Sequence, residues 1–472
     1  MSIMESLRSY MDGIVAFCYR CRRCASSNAD SLQTQRKPFM SMTWGLSGPE
    51  QLDGERRTRT LDIGAAVREY NERAVPGMGG VWYAKQLFLA MLGIALAQKL
   101  CERKSNVSNI NAANAIEALG CYYALKQNKG QGDARVRGSE KLRGKANFDF
   151  KTLCKPGFYV SQPMRMGTGQ ALLALGLVRA QGERFNAFTC TAFGHEFVNA
   201  CCGDDGALLE ELVQWALRGD SVDRLKGPVS GLLSPLQVLP AQARALLSRR
   251  IDAELSPASG GLRRAAIRGW VRARHAMSEA VFDWAERPDE IDPEHWNDLH
   301  YGALFFQVQD AAYDVLNAVE QHMAVLSTQR FELGSVLPER ISTHITHLRE
   351  MARLFLDNPQ RQRTDPVAST FCHECIDPDS SILLASLVSR DGRVLRLQGN
   401  DILPGGAFQY QVLEVDTGQA VIEAQGEASQ AALPAWISHR VGRLHRLDLD
   451  LQGQLSAWLT PAPAVAIEEV SL

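Results

Sequence analysis

The stretch GQALLALGLV (169–178), followed by RFNAFTCTAFG (184–194), decides the fold of the central part of the chain. Its apolar, helix-forming residues end at Gly176, which can adopt the left-handed conformation that closes a helix. The alternating residues after the turn at Gly182 favour a strand pair, and Thr191 can cap a following helix. We therefore predict helix, strand, turn, strand and helix over residues 158–202. The residues expected to pack the first helix against the hairpin are Leu172, Leu173, Leu175 and Val178.

This order of elements, with the pattern LxxLGLV followed by RFNAFTCTxxG, resembles the winged-helix superfamily, and within it the MarR-like branch. The resemblance covers about residues 158–202. It implies a recognition helix that ends at Gly-Leu-Val, a β-hairpin wing and a further helix that begins near Thr191. The DNA-facing residues that it implies are Gln162 and Arg165 near the helix and Arg179 and Arg184 on the wing. Since few polar side chains are present, we expect weak sequence readout; a winged helix used for packing or protein contact is the alternative.

A basic, glycine-rich segment precedes this region. Between Lys126 and Lys145, seven Lys and Arg residues are opposed by Asp133 and Glu140. An exposed loop of this composition can contact phosphates. The residues assigned to this role are Arg135, Arg137, Lys141, Arg143 and Lys145.

A second basic region spans Ala241–His275. Arg264, Arg268 and Arg272 recur every four residues and would line one face of a helix. Such a stripe could hold several phosphates, and we assign the three arginines to nucleic-acid binding. The alternatives are a solvated helix face and a face paired with acidic residues.

The remaining chain predicts a mainly α fold with a helical N-terminal domain, a central winged-helix-like module, a helical middle region and a small α+β C-terminal domain. The boundaries are a disordered leader or misassigned start at 1–42, a helical domain at 43–150, the module at 151–206, the helical region with the arginine stripe at 207–358 and the α+β domain at 367–472. In the last domain, turn residues favour strands at Ser381–Ser389, Arg393–Gln398, Phe408–Val415 and Gln419–Ala424, with a helix around Ala431–Gly442.

Composition places the chain among globular proteins: 45% of its residues are hydrophobic and the net charge is −2. A net charge this small means that contact with a polyanion depends on local patches. Eleven cysteines, an odd number without a secretory signal, favour a reducing cytoplasm. The apolar run Val81–Ala97 is interrupted by Lys85 and Gln86, so we interpret it as a buried core helix and predict no membrane contact.

Motifs for common enzymes are absent from the sequence, including the P-loop, the zinc-protease motif, the esterase nucleophile motif and the kinase set. We therefore expect no catalytic residue, no cofactor and no small-molecule substrate. Cys372 and Cys375 lack a second ligand pair and are interpreted as ordinary thiols rather than a metal site.

These patterns favour a non-enzymatic, cytoplasmic, prokaryotic protein that associates with double-stranded DNA largely without sequence preference, as a subunit of a larger assembly. The alternative is a scaffold or adaptor subunit of a multi-component prokaryotic system, for example in defence or mobile elements, that makes no DNA contact.

Overall fold

Helices form where apolar residues recur at helical spacing, and the chain is mainly α-helical, as predicted. The computed structural model describes residue 59 and residues 61–460, except 146–147, 183, 204–205, 220–226, 257–258, 277–283, 359–364 and 409–432. The described helices are α1 (Gly64–Ala74), α2 (Ala84–Glu102), α3 (Asn109–Gln127), α4 (Ser139–Leu142), α5 (Phe150–Leu153), α6 (Gly169–Ala174), α7 (Ala192–Cys202), α8 (Ala207–Arg218), α9 (Gly227–Leu233), α10 (Ala241–Asp252), α11 (Gly261–Ala276), α12 (Pro293–Val325), α13 (Glu339–Leu356), α14 (Pro366–Cys375), α15 (Ser380–Asp391), α16 (His439–Gln452) and α17 (Leu455–Leu459). The described strands are β1 (Val178–Ala180), β2 (Phe188–Cys190), β3 (Phe331–Glu332), β4 (Leu395–Gln398) and β5 (Asp401–Pro404).

Helix α2 lies at the centre of the first hydrophobic core. It is long and apolar enough to cross a membrane, but 83% of its apolar window is buried inside the protein, as expected of a core helix. It packs against α3 at very short range. A Cβ atom on Gly93 would lie 2.5 Å from the Cα atom of Ala113. This contact explains why a glycine occupies the middle of a helix, where it otherwise costs stability.

The predicted order of helix, strand, turn, strand and helix is present between α6 and α7. Strands β1 and β2 pair antiparallel, with Arg179 opposite Thr189. Gly176 has φ +60° and ends α6, while the Thr191 hydroxyl accepts a hydrogen bond from the Gly194 N–H and caps α7. Leu173 is 37% exposed rather than buried, so one of the four expected packing residues faces solvent.

The predicted domain boundaries do not separate hydrophobic cores, because residues from distant parts of the chain share them. Residues Gly54–Leu472 form one unit. Its first core takes side chains from 74–299 and again from 433–455, so the module at 151–206 has no core of its own. The second core takes 61–70 and 301–408. Helices α1 and α12 each contribute to both cores.

The C-terminal region differs from its prediction in two places. The segment predicted as a strand at Ser381–Ser389 belongs to helix α15, whose first turn Asp379 caps by accepting from the Ser381 N–H. Strand β4 forms as expected and joins the sheet β3-β5-β4, in which all pairs are antiparallel. Helix α16 begins at His439, eight residues later than predicted, and packs in the first core. The predicted strands at 408–415 and 419–424 and the predicted leader at 1–42 lie outside the described residues, apart from position 408.

Candidate functional site

A cluster of exposed cations occupies residues 129–155, which we call the basic loop surface. It consists of Lys129, Lys141, Arg143, Lys145, Lys151 and Lys155. Over residues 126–155 the sequence has nine Lys or Arg against three Asp or Glu. Two of those acids are already engaged, Asp133 with Arg135 and Asp149 as the cap of α5. Within the described chain, none of the six cations of the basic loop surface forms an ion pair with a carboxylate.

Main-chain carbonyl groups hold this surface in place. The Lys141 ammonium donates to the Gly157 carbonyl at 3.2 Å, and the Lys145 ammonium donates to the Phe158 carbonyl at 3.1 Å. Lys145 also lies 4.0 Å from the centroid of the Phe158 ring. Gly138, at φ +73°, lets the loop approach closely, since a Cβ there would lie 2.1 Å from the Tyr159 carbonyl oxygen. These contacts fix the backbone of the loop and leave its charges at the surface.

Arg135 was predicted to bind phosphate, and the structure places it inside the protein. It is 7% exposed. Its guanidinium donates to both carboxylate oxygens of Asp133 and to the Ser456 hydroxyl, while its carbonyl accepts from the Tyr83 hydroxyl. Arg135 therefore joins the loop to the core and has no group left for a phosphate.

The residues implied by the winged-helix resemblance have different surroundings. Arg179 and Arg184 are exposed on the hairpin, and Gln162 is exposed before α6. Arg165 is half-buried, with its guanidinium 6.0 Å from the Phe185 ring centroid. Its main-chain N–H donates to Glu117, a buried carboxyl on α3 whose pKa is raised by burial.

The helix that would read DNA bases is too short and too apolar for that task. Helix α6 has six residues, of which Ala171 and Leu172 are buried. Its exposed positions include Gln170 and Leu173. A recognition helix needs several polar side chains that reach base edges in the major groove. Helix α6 therefore offers few side chains for contact with base edges.

The predicted phosphate-binding stripe on α11 is turned into the protein, so that prediction needs correction. Arg264 is 0% exposed. Its guanidinium donates to the carbonyl oxygens of Ile251, Pro76 and Ser259 at 2.7, 3.0 and 2.5 Å. Because Arg264 is buried and bonded to these three carbonyl groups, it cannot reach a polyanion.

Arg268 and Arg272 are ion-paired with carboxylates. Arg268 is 3% exposed and donates to Asp448 and Asp252, both at 2.6 Å. The side chain of Arg272 is 48% exposed, but it forms two hydrogen bonds with Asp448. Burial raises the pKa of Asp448, but the bonds and charges of Arg272 and Arg268 outweigh burial and hold it below its ordinary value. For Arg268 and Arg272, the structure matches the alternative interpretation, a helix face paired with acidic residues.

A second group of cations converges at the start of α16, and we call it the cationic recess. It consists of Arg137, His439, Arg440, Arg443 and Arg446. His439, Arg443 and Arg446 are spaced four and three residues apart and so share one face of the helix. Arg137 comes from the basic segment, where it donates to the Gln162 carbonyl at 2.9 Å. It therefore connects the recess to the segment that carries the basic loop surface.

Few acceptors in the described part of the chain balance these charges. Arg440 pairs with Glu72 at 2.5 Å and donates to Gln170 at 3.3 Å. Arg446 lies 5.3 Å from the Trp82 ring centroid and is 6% exposed, and its buried Nε has no hydrogen-bond partner. Arg443 and His439 have no side-chain hydrogen bond or ion pair within the described residues.

Electrostatic repulsion in the recess follows from this arrangement. His439 is exposed to solvent, and desolvation together with the charges of Arg443, Arg440 and Arg446 lowers its pKa. Burial and Arg443 lower the pKa of Arg446 to about 10. The Arg443 pKa is lowered by burial, Arg440 and Arg137. These like charges therefore lie close enough to raise one another's electrostatic energy.

The recess was not found from the sequence, which assigned 431–442 to a helix of a separate domain. A signal was present in HRVGRLHR (439–446), where cations recur at positions 1, 5 and 8 of a helix. What the sequence could not supply was Arg137, which lies about three hundred residues earlier.

Other candidate chemistry is not supported by its surroundings. The thiol of Cys190 is buried, and burial raises its pKa to about 12, so it is not an activated nucleophile. Cys372 and Cys375 are both buried in the second core. Among the described residues no group of three or more His, Cys, Asp or Glu side chains could hold a metal ion.

No family model, no curated protein and no solved structure matches this chain.

Proposed function

We propose that this protein associates with double-stranded DNA through the phosphate backbone, with the basic loop surface as its main contact. The observation that carries the proposal is the set of six exposed cations without a carboxylate partner in the described chain. Arg179 and Arg184 on the β1–β2 hairpin add two exposed cations. Arg264 and Arg268 are left out of the interface because both are buried.

Backbone contact also accounts for the expected lack of sequence preference. Lysine ammonium groups neutralise phosphates but carry no base information. The short helix α6 supplies few groups for base edges. Each phosphate neutralised releases condensed cations, so a footprint of about six phosphates gives a salt-dependence slope near −5 on logarithmic axes.

The proposed setting is a non-enzymatic, cytoplasmic protein of a prokaryote that acts as a subunit of a larger assembly. Support for the non-enzymatic role comes from the inert surroundings of Cys190. Support for a reducing compartment comes from the cysteine content, which includes Cys121 and Cys375 as free thiols in apolar cores.

The test is a gel shift with unrelated DNA duplexes at several salt concentrations. The variant Lys141→Glu/Arg143→Glu/Lys145→Glu reverses three charges of the basic loop surface. The matched control is Arg340→Glu/Arg353→Glu/Arg396→Glu. It makes the same change in net charge at exposed positions on the elements that form the second core. We expect similar affinity for all duplexes in the unaltered protein and a loss of about 10-fold or more in the first variant.

The control should keep its affinity within about two-fold, because general electrostatic attraction is screened beyond a Debye length. Equal losses in both variants would show that net charge, not this surface, attracts DNA. A salt-insensitive shift, or none, would overturn the proposal and favour the scaffold alternative without DNA contact.

A further inference from the structure

We propose that the cationic recess is a binding site for a compact, doubly charged phosphate group, as found in a phosphate monoester or in inorganic phosphate. The inference goes beyond DNA association and does not rest on it, since the recess and the basic loop surface share no residue. Three observations lead to it: the charge balance of the recess, its uncommitted donors and its position at a helix end.

The charge balance of the recess is strongly positive. Four arginines and His439 converge there, and among the described residues the carboxylate bonded to them is Glu72, on Arg440. The acids of α16 itself point elsewhere. Asp448 bonds to the arginines of α11, and Asp450 accepts from the Ala84 N–H at 2.8 Å. Like charges in a desolvated site repel each other, and an anion bound among them would remove that repulsion.

Two of the arginines hold donors that nothing in the described chain uses. Arg446 is 6% exposed, stacks on Trp82 and makes no hydrogen bond. Arg443 is partly exposed and also makes none. The Nε of Arg446 is buried, and a buried donor without an acceptor is rare because it loses its hydration without compensation. The guanidinium fork matches the oxygen geometry of a phosphate group, which accepts from several donors at once.

The first turn of α16 adds to the attraction. Helix α16 has fourteen residues, and Ser438 caps it by accepting from the Arg440 N–H. The N-terminal end of such a helix carries partial positive charge and favours anions. His439 and Arg440, the first two residues of the helix, belong to the recess, so the helix dipole adds to the positive charge at this end.

The number of cations distinguishes the class of phosphate. A phosphodiester carries one negative charge and has a sugar on each side, which suits the open basic loop surface. A phosphate monoester carries close to two negative charges at neutral pH and presents three oxygens on one side. Several cations gathered in a recess, with Glu72 present to offset one of them, fit the monoester.

The test is isothermal titration of the full chain with inorganic phosphate, against sodium chloride of equal ionic strength. We expect one phosphate per chain in the unaltered protein. Arg443→Gln removes one uncommitted guanidinium and should weaken binding about 10- to 100-fold, the usual effect of a charged hydrogen bond. Arg446→Gln should act in the same direction. The control, Arg143→Gln on the basic loop surface, should change the affinity less than two-fold.

Folding of the variants does not limit the test. Arg443 makes no hydrogen bond to any described residue and is repelled by Arg440 and Arg137, so Arg443→Gln should melt at or above the temperature of the unaltered protein. Added phosphate should raise the melting temperature of the unaltered protein and leave that of Arg443→Gln unchanged. Absence of one-to-one binding in the unaltered protein, or equal binding by Arg443→Gln, would overturn the proposal.

Competition then identifies the source of the phosphate. A nucleoside 5′-monophosphate, a 5′-phosphorylated oligonucleotide and the same oligonucleotide with a 5′-hydroxyl are each titrated against bound phosphate. Stronger competition by the phosphorylated oligonucleotide identifies a nucleic-acid end, and equal competition by the mononucleotide identifies a small phosphorylated molecule. Equal competition by both oligonucleotides contradicts selectivity for a monoester. If the protein does not bind phosphate in the recess, the predicted salt-dependent gel shift with DNA is unaffected. The two proposals can therefore fail separately.

Discussion

Asp448 holds two arginines of α11 inside the protein, so Asp448→Asn tests this arrangement most directly. Its side chain is 2% exposed and accepts from Arg268, which is 3% exposed. Asparagine keeps the size of the side chain and removes its charge, so Arg268 retains Asp252 as its charged partner in the described chain. Removing one partner of a buried ion pair costs about 3 to 5 kcal/mol. Because Asp252 remains, we expect a loss near the lower limit, ~3 kcal/mol.

The matched control uses the exposed partner of the same carboxylate. Arg272 is about half exposed, so Arg272→Gln should cost no more than ~1 kcal/mol. The double variant Arg268→Met/Asp448→Leu replaces the pair by apolar side chains and should recover part of the stability lost in Asp448→Asn.

The assay is urea unfolding followed by tryptophan fluorescence. Trp270 lies on α11 and packs edge to face against Trp296, with ring centroids 5.6 Å apart, so the signal reports the unfolding of this core. The free energy of unfolding of each variant is compared with that of the unaltered protein at pH 7. If Asp448→Asn costs no more than Arg272→Gln, the reasoning about the inward arginines is refuted.

Three further predictions concern packing, pH and the recess. Gly93→Val should lower the urea midpoint by the equivalent of about 1 to 3 kcal/mol, because a Cβ would meet Ala113 at 2.5 Å; an unchanged midpoint would contradict the close helix contact. His445 is buried, and burial lowers its pKa to about 4, so its contribution to stability is complete above about pH 6.5 and is lost as the pH falls toward 4, by about 3 kcal/mol. His445→Gln should therefore reduce the pH dependence of urea unfolding between pH 7 and 4.5, and an unaltered slope would refute this. Glu72→Gln removes the carboxylate on Arg440 and should tighten phosphate binding several-fold in titration calorimetry, whereas weaker binding would contradict the assignment.

Local patterns predicted the elements whose signals lie within one segment. Helix α2 follows from its apolar run, and the β1–β2 hairpin follows from alternation and from Gly176 and Thr191. The error at residues 381–389 arose because a short apolar run fits a buried strand or a helix equally well. One face of α15 is formed by Leu383, Leu384, Leu387 and Val388. The cap by Asp379 favours a helix over a strand.

The site could be predicted only in part, because side-chain exposure depends on tertiary partners. The spacing of Arg264, Arg268 and Arg272 correctly places them on one helix face, but their direction is decided by Asp448 and by carbonyl groups far along the chain. Lys141, Arg143 and Lys145 were assigned from the sequence and are exposed, as expected for a glycine-rich charged loop. Lys129, Lys151 and Lys155, which complete the basic loop surface, were not assigned.

The interleaved cores have a consequence for any attempt to divide this protein. The polypeptide passes from the second core to the first at 70–74, returns within α12 at residues 299–301, and enters the first core once more at 433. Truncation at 299–301 divides both interiors, whereas truncation at 70–74 removes a piece of the second core and truncation at 433 removes a piece of the first, so each of these cuts leaves an incomplete interior. Two fragments split between residues 358 and 365 should instead reassemble when produced together, each completing what the other lacks.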